Sequence, residues 1–165
     1  MWGFQLWVNL PARDKMCEPR YQEIPPADVP VLSREDGSRV RVIAGEAGGA
    51  RGPVAGIATE PLYLDVSLPA GVGLVQAVPT AHNACAYVFE GEARIGEDGT
   101  AVGAGQLAVL AEGDAAALMA GPPGARLLLV AGRPLREPVA RLGPFVMNTR
   151  AELMQAVQDY QSGAF

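Results

Sequence analysis

The sequence predicts an all-β fold, a single antiparallel barrel of short strands that is followed by one C-terminal α-helix. Apolar and polar residues alternate with a period of two in several short stretches, which is typical of half-buried strands. The chain has 20 glycines and 14 prolines in 165 residues, and they recur between these stretches without a repeat period. Short strands at this spacing, separated by turn signals, indicate a barrel or a sandwich.

The stretch of residues 82–96 is the centre of this prediction. An apolar run at 84–89 enters Gly91, and a shorter run at 93–95 leaves toward the turn signal Asp98-Gly99. A glycine inside a strand pattern marks a bulge or a sharp bend. Since a bent strand can take part in two sheets, it is the kind of strand that closes a small antiparallel barrel.

The segments on either side of this stretch are predicted as strands from alternation or from apolar runs between turns. They are residues 4–10, 40–44, 62–68, 73–78, 107–110, 115–120 and 126–131. We expect 107–110 to be a buried strand and the Gly-Pro-Pro-Gly sequence at 121–124 to be a turn. The glycine-rich segment 45–52 lacks the Lys-Ser/Thr end of a phosphate-binding loop, so it is interpreted as a mobile surface loop.

The C-terminal residues show the pattern of an amphipathic helix. Thr149 and Glu152 have the spacing of a capping box, and Gly163 is a plausible stop. Apolar residues then recur three and four positions apart at Leu153, Met154, Val157 and Tyr160. The sequence therefore predicts a barrel over residues 1–148, with a helix and tail over 149–165 that pack on a partner or on the barrel.

Composition excludes several classes of function. The net charge of −5 argues against a nucleic-acid surface, which needs clustered lysine and arginine. No apolar run reaches the roughly 18 residues of a membrane span, and residues 1–10 lack the basic start of a signal peptide. Cys17 and Cys85 are interpreted as reduced thiols, and the chain is expected to be cytoplasmic.

Five segments of the chain resemble the pirin family. They are FQLWVNLP at 4–11, EPRYQ at 18–22, GQLAVL at 105–110, GRPLREPV at 132–139 and GPFVMNT at 143–149. Pirin-like proteins are bicupins, with two barrels in tandem, and the resemblance is to the C-terminal barrel alone. It covers essentially the whole chain from Gly3 onward and implies a single cupin-type (jelly-roll) antiparallel barrel with a C-terminal amphipathic α-helix.

The resemblance also implies where the family's metal lies. In pirin-like proteins one iron is held by three histidines and a glutamate, all of them in the N-terminal barrel. This chain has one histidine, His82, which is too few for a three-histidine site or a facial triad. We therefore predict no metal, no cofactor and no catalytic residue in this chain, because the family's iron site belongs to the N-terminal domain.

Three polar residues are candidates for the rim of the barrel: His82, Arg133 and Arg136. His82 is either a metal ligand or base, or a rim residue that bonds the backbone near Pro79. The second interpretation is favoured because no ligand-spaced partner follows it and Ala84 stands where a cupin would place its second histidine. The arginines, with Glu137 beside them, either clamp an anion or form internal salt bridges, and internal salt bridges are favoured.

Three functions are compatible with these residues. The first is a structural or binding half-barrel without its own metal centre, whose helix residues Leu153, Met154, Val157 and Tyr160 form an interaction surface. Its partner is a second copy, giving a homo-oligomer, or a separately encoded N-terminal pirin half. The second is a subunit or fragment of a pirin-type, iron-dependent quercetin 2,3-dioxygenase, and the third is a redox-linked regulatory docking protein. No membrane or nucleic-acid partner is expected.

Overall fold

The structure is a computed structural model that describes residues 3–164, and these residues confirm the predicted β-barrel with one C-terminal helix. The chain divides into two compact units. Residues 22–134 form one of them, the barrel unit, and the described residues of 1–21 and 135–165 form the other, the terminal unit. The predicted division after residue 148 therefore runs through the terminal unit.

The barrel unit contains the strands of the predicted barrel. They are β1 (Val31–Ser33), β2 (Arg39–Ala44), β3 (Glu46–Ala47), β4 (Ala50–Arg51), β5 (Leu62–Leu68), β6 (Gly73–Ala77), β7 (Asn83–Ile95), β8 (Thr100–Gly103), β9 (Gln106–Val109) and β10 (Ala115–Gly132). The main sheet is antiparallel with the order β1-β2-β5-β10-β7-β8, and β6 pairs with β10 and β9 with β7. The segment predicted as a mobile loop contains the short β3–β4 hairpin instead.

Two long strands, β7 and β10, connect the parts of this sheet. The first part of β10 pairs with β6 and the second part with β5, while β7 pairs with β10 along both parts. The register of β7 and β10 shifts between Ala120 and Ala125. The predicted turn at 121–124 is therefore wrong, because these residues bend one continuous strand rather than separate two.

Gly91 is the bend of β7, as the sequence predicts. Its φ is +72°, and a Cβ atom built at this position would overlap the carbonyl oxygen of Gly124. An L-residue with a side chain is strained at this φ and has no space here. Both the bend and the close approach of β7 to β10 thus require glycine at position 91.

The interior of the barrel unit is filled by aliphatic side chains. Alternate residues of β5 are buried, as its period-two pattern predicts. The side chains with 0% exposure are those of Val42, Leu64, Val66, Val88, Leu127 and Leu129, together with smaller residues. The strand predicted at 107–110 forms as β9, but the predicted burial is wrong, since Leu107 and Val109 are 56% and 77% exposed.

The terminal unit contains the helix and one hairpin. The hairpin consists of β11 (Ala140–Leu142) and β12 (Phe145–Met147), and α1 spans Arg150–Ser162. The predicted capping box is present: the Thr149 hydroxyl accepts from the Glu152 N–H at 3.2 Å, and the Glu152 carboxylate accepts from the Thr149 N–H at 2.7 Å. Hydrogen bonds from the Thr149 side chain and backbone hold the pKa of the Glu152 carboxyl below its ordinary value. Gly163 ends the helix with a φ of +75°.

The strand predicted at residues 4–10 is wrong, since the structure assigns these residues to no strand. Side-chain hydrogen bonds hold this N-terminal region within the terminal unit instead. Lys15 donates to the Asn9 side chain at 2.6 Å and to the Val146 carbonyl at 3.0 Å. The Glu137 carboxylate accepts from the Ala12 N–H at 2.7 Å. Alternation predicts an extended backbone, but it does not supply the neighbouring strand that a sheet needs.

Candidate functional site

A pocket of about 500 Å³ lies at the end of the barrel unit where β2 ends and where β5 and β7 begin. We call it the mouth pocket. The β3–β4 hairpin forms one wall, and apolar side chains such as Leu62 and Val78 form much of the rest. Its polar groups are contributed by Glu46, Glu60, Gln76 and His82.

His82 lies at the rim of this pocket, just before β7. Its backbone N–H donates to the Pro79 carbonyl at 2.9 Å, and only 6% of its side chain is exposed. Nε2 lies 4.0 Å from a carboxylate oxygen of Glu60. Nδ1 is buried and has no hydrogen-bond partner among the described residues. Among residues 3–164, the imidazole therefore lies beside one carboxylate, that of Glu60.

Arg133 fixes the position of Glu60. Its guanidinium donates to the Glu60 carboxylate at 2.9 Å and to the Ala58 carbonyl at 2.8 Å, and its backbone N–H donates to the Thr59 carbonyl at 2.8 Å. These bonds tie residues 58–60 to the end of β10. They also hold Glu60 at a φ of +47°, which is uncommon for a residue other than glycine. Arg133 thus acts as a positioning residue for the carboxylate next to His82.

Arg136, the third predicted rim residue, belongs to the terminal unit rather than to the barrel unit. It is exposed, and its backbone is in the left-handed region with a φ of +54°. The structure therefore joins His82 and Arg133 through Glu60, but it gives Arg136 no place in this group. The neighbouring Glu137 binds the Ala12 N–H and, at 3.0 Å, the side-chain amide of Asn148.

Gln76 is a further residue of the mouth pocket, and the sequence predictions do not include it. It is 8% exposed, and its Nε2 donates to the carbonyl oxygens of Glu46 at 3.3 Å and Ala77 at 2.9 Å. Two acceptors on the nitrogen fix the orientation of the amide, so its oxygen remains as an acceptor. The signal was present in β6, where Gln76 occupies the inward-facing position between the buried residues Leu74 and Val78.

The mouth pocket can bind a ligand through hydrogen-bond acceptors. Its side chains offer two carboxylates and an amide oxygen, which accept hydrogen bonds from a ligand. Cys85 lies nearby in sequence, at the start of β7, but burial raises the pKa of its thiol. A thiol with a raised pKa is a poor nucleophile at neutral pH, because the thiolate is the reactive form.

The described residues do not fit an iron site of the kind that the resemblance places in the family's N-terminal barrel. Within residues 3–164 no three His, Cys, Asp or Glu side chains lie together in an arrangement that could hold a metal ion. The carboxylate nearest to His82 belongs to Glu60, which is 63% exposed and already bound to Arg133. Most of the buried side chains in the described strands are aliphatic and offer a metal no ligand.

The predicted interaction residues of α1 do not share one environment. Leu153 is 6% exposed and buried together with Ala156, so it faces the packed side of the helix. Val157 is half-buried, whereas Met154 is 49% and Tyr160 66% exposed. The Tyr160 ring also contacts the Phe145 ring edge-to-face, with the centroids 5.8 Å apart.

The terminal unit exposes many large apolar side chains besides these. Of the 15 such exposed residues in the described part of the chain, 10 belong to this unit. We call them the terminal apolar surface: Phe4, Leu6, Trp7, Val8, Met16, Tyr21, Val139, Leu142, Met154 and Tyr160. Because exposed apolar patches mark interaction sites, these residues are the candidates for one.

No helix in the described residues has the length and apolar character that a membrane crossing requires.

The chain is similar in sequence to known proteins of one family. The Pirin C-terminal cupin domain matches residues 63–165 of this chain. A pirin-like protein of Caulobacter vibrioides is 48% identical over 100% of the chain. A protein of Pseudomonas aeruginosa described as a putative quercetin 2,3-dioxygenase is 44% identical over 99% of the chain. The chain spans 59% of the length of each of these two relatives.

A solved structure extends the similarity to three dimensions. The crystal structure of a quercetin 2,3-dioxygenase from Acinetobacter baumannii is 36% identical and superimposes with a TM-score of 0.89. The match covers 96% of this chain and 55% of that one. Relatives of this kind thus contain a similar fold together with a further region of comparable length.

Proposed function

Because this chain belongs to the pirin family and matches its C-terminal cupin domain, we propose that it acts as a half-barrel that binds a partner and carries no metal centre of its own. The observation that carries this proposal is the filled interior of the barrel unit. Most of its inward-facing residues, such as Leu64, Val88 and Leu129, are aliphatic and fully buried. Its single histidine stands beside a carboxylate that Arg133 already neutralises.

The partner that we propose first is an N-terminal barrel of the pirin type. The relatives are longer than this chain by a region that a second barrel would fill, since the chain spans 59% of their length. The terminal apolar surface is the part of the chain that this partner would cover. A second copy of the chain is the alternative occupant of the same surface.

We also propose a cytoplasmic location, supported by the two free cysteines.

Light scattering coupled to gel filtration tests the partner. We expect the purified chain either to self-associate as its concentration rises or to form a stoichiometric complex with the separately produced N-terminal half of a pirin-like relative. Val139→Asp should weaken that association by about tenfold, because it buries a charge in an apolar contact.

Val75→Asp is the matched control for this substitution. Val75 and Val139 have similar exposures of 71% and 66%, but Val75 lies in the barrel unit. We expect Val75→Asp to leave association unchanged. A chain that stays monomeric at all concentrations and does not bind the N-terminal half would contradict the proposal, as would equal effects of the two substitutions.

A second candidate function is a part in a quercetin 2,3-dioxygenase. It is favoured by the relative from Pseudomonas aeruginosa, 44% identical, whose description names this activity as putative. In this case an iron-bearing partner would supply the metal and its ligands, and this chain would contribute contacts. A partner whose dioxygenase activity is the same with and without this chain would refute this second function.

A further inference from the structure

We propose that a groove on the outer face of the barrel unit binds a tetrahedral oxyanion with two negative charges, of the phosphate class. The groove has a volume of about 410 Å³ and lies across β1, β2, β5 and β10. Its polar lining consists of three arginines, two serines and one aspartate: Arg39, Arg41, Arg126, Ser33, Ser67 and Asp65. It shares no lining residue with the mouth pocket.

The strand register places hydrogen-bond donors in a row along this groove. Ser33 on β1 lies opposite Arg39 on β2, and Arg39 lies opposite Ser67 on β5. Ser67 in turn lies opposite Arg126 on β10. Residues directly opposite each other in an antiparallel pair have Cβ atoms about 5 Å apart. Hydroxyl and guanidinium groups therefore alternate across four neighbouring strands, on a backbone that the sheet fixes.

The groove keeps an excess of positive charge, because its three arginines outnumber by one the two carboxylates beside them, those of Asp65 and Glu90. The Asp65 carboxylate lies 4.0 Å from Arg41 Nε and 3.9 Å from Arg126 Nη2, and both distances are longer than a hydrogen bond. No described residue forms an ion pair with Arg39. The guanidinium groups of Arg39 and Arg41 thus keep their donors available on a chain whose net charge is −5.

Arg126 forms the fixed end of the groove. Its Nη1 donates to the Glu90 carboxylate at 3.2 Å, and its guanidinium carbon lies 4.9 Å from the centre of the Phe89 ring. Glu90 therefore takes up part of the charge of Arg126 from outside the groove. The anion that fits accepts hydrogen bonds from Arg39, Arg41 and the two serines and contacts Arg126 at one side.

The chemistry of these donors selects the class of ligand. A guanidinium donates two parallel N–H groups to the oxygens of phosphate or a carboxylate, and hydroxyls donate to the oxygens that remain. A tetrahedral dianion can pair with both Arg39 and Arg41, which form no hydrogen bond to a carboxylate of the described residues, and can also accept from the serine hydroxyls, whereas a small carboxylate has fewer oxygens to do so. Inorganic phosphate and the phosphate group of a small phosphomonoester share this chemistry, and the experiment separates them.

The test is a titration of the isotope-labelled chain with inorganic phosphate, followed by amide NMR at constant ionic strength, since salt screens exposed charges. We expect saturable shifts at Ser33, Arg39, Arg41 and Ser67. Losing one charge-assisted contact, in Arg39→Gln, should weaken binding by about tenfold. Ser67→Ala, which keeps all charges, should weaken it by a smaller factor and provides a second variant.

Arg94→Gln is the matched control, because Arg94 is also an exposed arginine on a strand of the barrel unit but lies outside the groove. It should bind phosphate as the unmodified chain does. Tighter binding of glycerol 3-phosphate than of phosphate supports a phosphomonoester ligand, and equal binding supports the free anion. The proposal is overturned if no saturable shifts occur, if acetate competes equally with phosphate, or if Arg39→Gln and Arg94→Gln have the same effect.

Discussion

Replacing Gly91 with alanine is expected to lower the free energy of unfolding by about 3 kcal/mol or more. Two costs add at this position. The left-handed backbone, with a φ of +72°, strains any residue that has a Cβ atom. The added methyl group would also overlap the Gly124 carbonyl oxygen, which forces β7 and β10 apart where both strands bend. Urea unfolding followed by circular dichroism measures the loss.

Gly99→Ala separates these two costs. Gly99 has a similar φ of +63°, but no atom lies within 4 Å of the position that a Cβ would occupy. We therefore expect Gly99→Ala to lower the free energy of unfolding by the backbone strain alone, about 1–2 kcal/mol. If both variants lose the same stability, the close approach of the two bent strands does not contribute, and our explanation of the barrel closure fails.

Replacing Leu129 with alanine is expected to lower the free energy of unfolding by about 2–5 kcal/mol. Leu129 is 0% exposed on β10, and the residues opposite it on the neighbouring strands are Leu64 and Ala86, which are equally buried. Removing its side chain leaves a cavity whose walls belong to paired strands and cannot collapse freely. The same unfolding experiment measures the effect.

Leu107→Ala is the control for this prediction, because Leu107 is 56% exposed on β9. Surface substitutions of this kind usually change stability by less than about 0.5 kcal/mol. An effect of Leu129→Ala as small as that of Leu107→Ala would mean that the barrel interior is loosely filled. A loosely filled interior would have room for a ligand or metal and would weaken the case for a half-barrel that acts by contact.

Much of the fold was predictable because its signals are local. Gly91 marks the bend, the alternation of β5 marks its buried face, and Thr149 with Glu152 marks the start of α1. The errors arose where a local pattern depends on a distant neighbour. Apolar and polar residues alternate over 4–10, but these residues do not form a strand. The sequence at 121–124 has turn residues but lies inside β10, because the pairing of β10 with β7 resumes after it.

The candidate sites were predictable only in part. The sequence singles out His82 and Arg133, but their connection through Glu60 joins positions that are distant in the chain. The groove lined by Arg39, Arg41 and Arg126 depends on the register of β2, β5 and β10, which an alternating pattern does not fix in detail. Gln76 had a readable signal, a polar residue at an inward-facing position of β6.

The metal content of the purified chain tests the central claim most directly. The chain, and a His82→Ala variant as control, would be incubated with ferrous iron under anaerobic conditions, freed of unbound metal and analysed by mass spectrometry. We predict that neither protein retains stoichiometric iron. Stoichiometric iron in the unmodified chain that is lost in His82→Ala would contradict the account, because it would show a metal centre where we infer a barrel that acts through its surfaces.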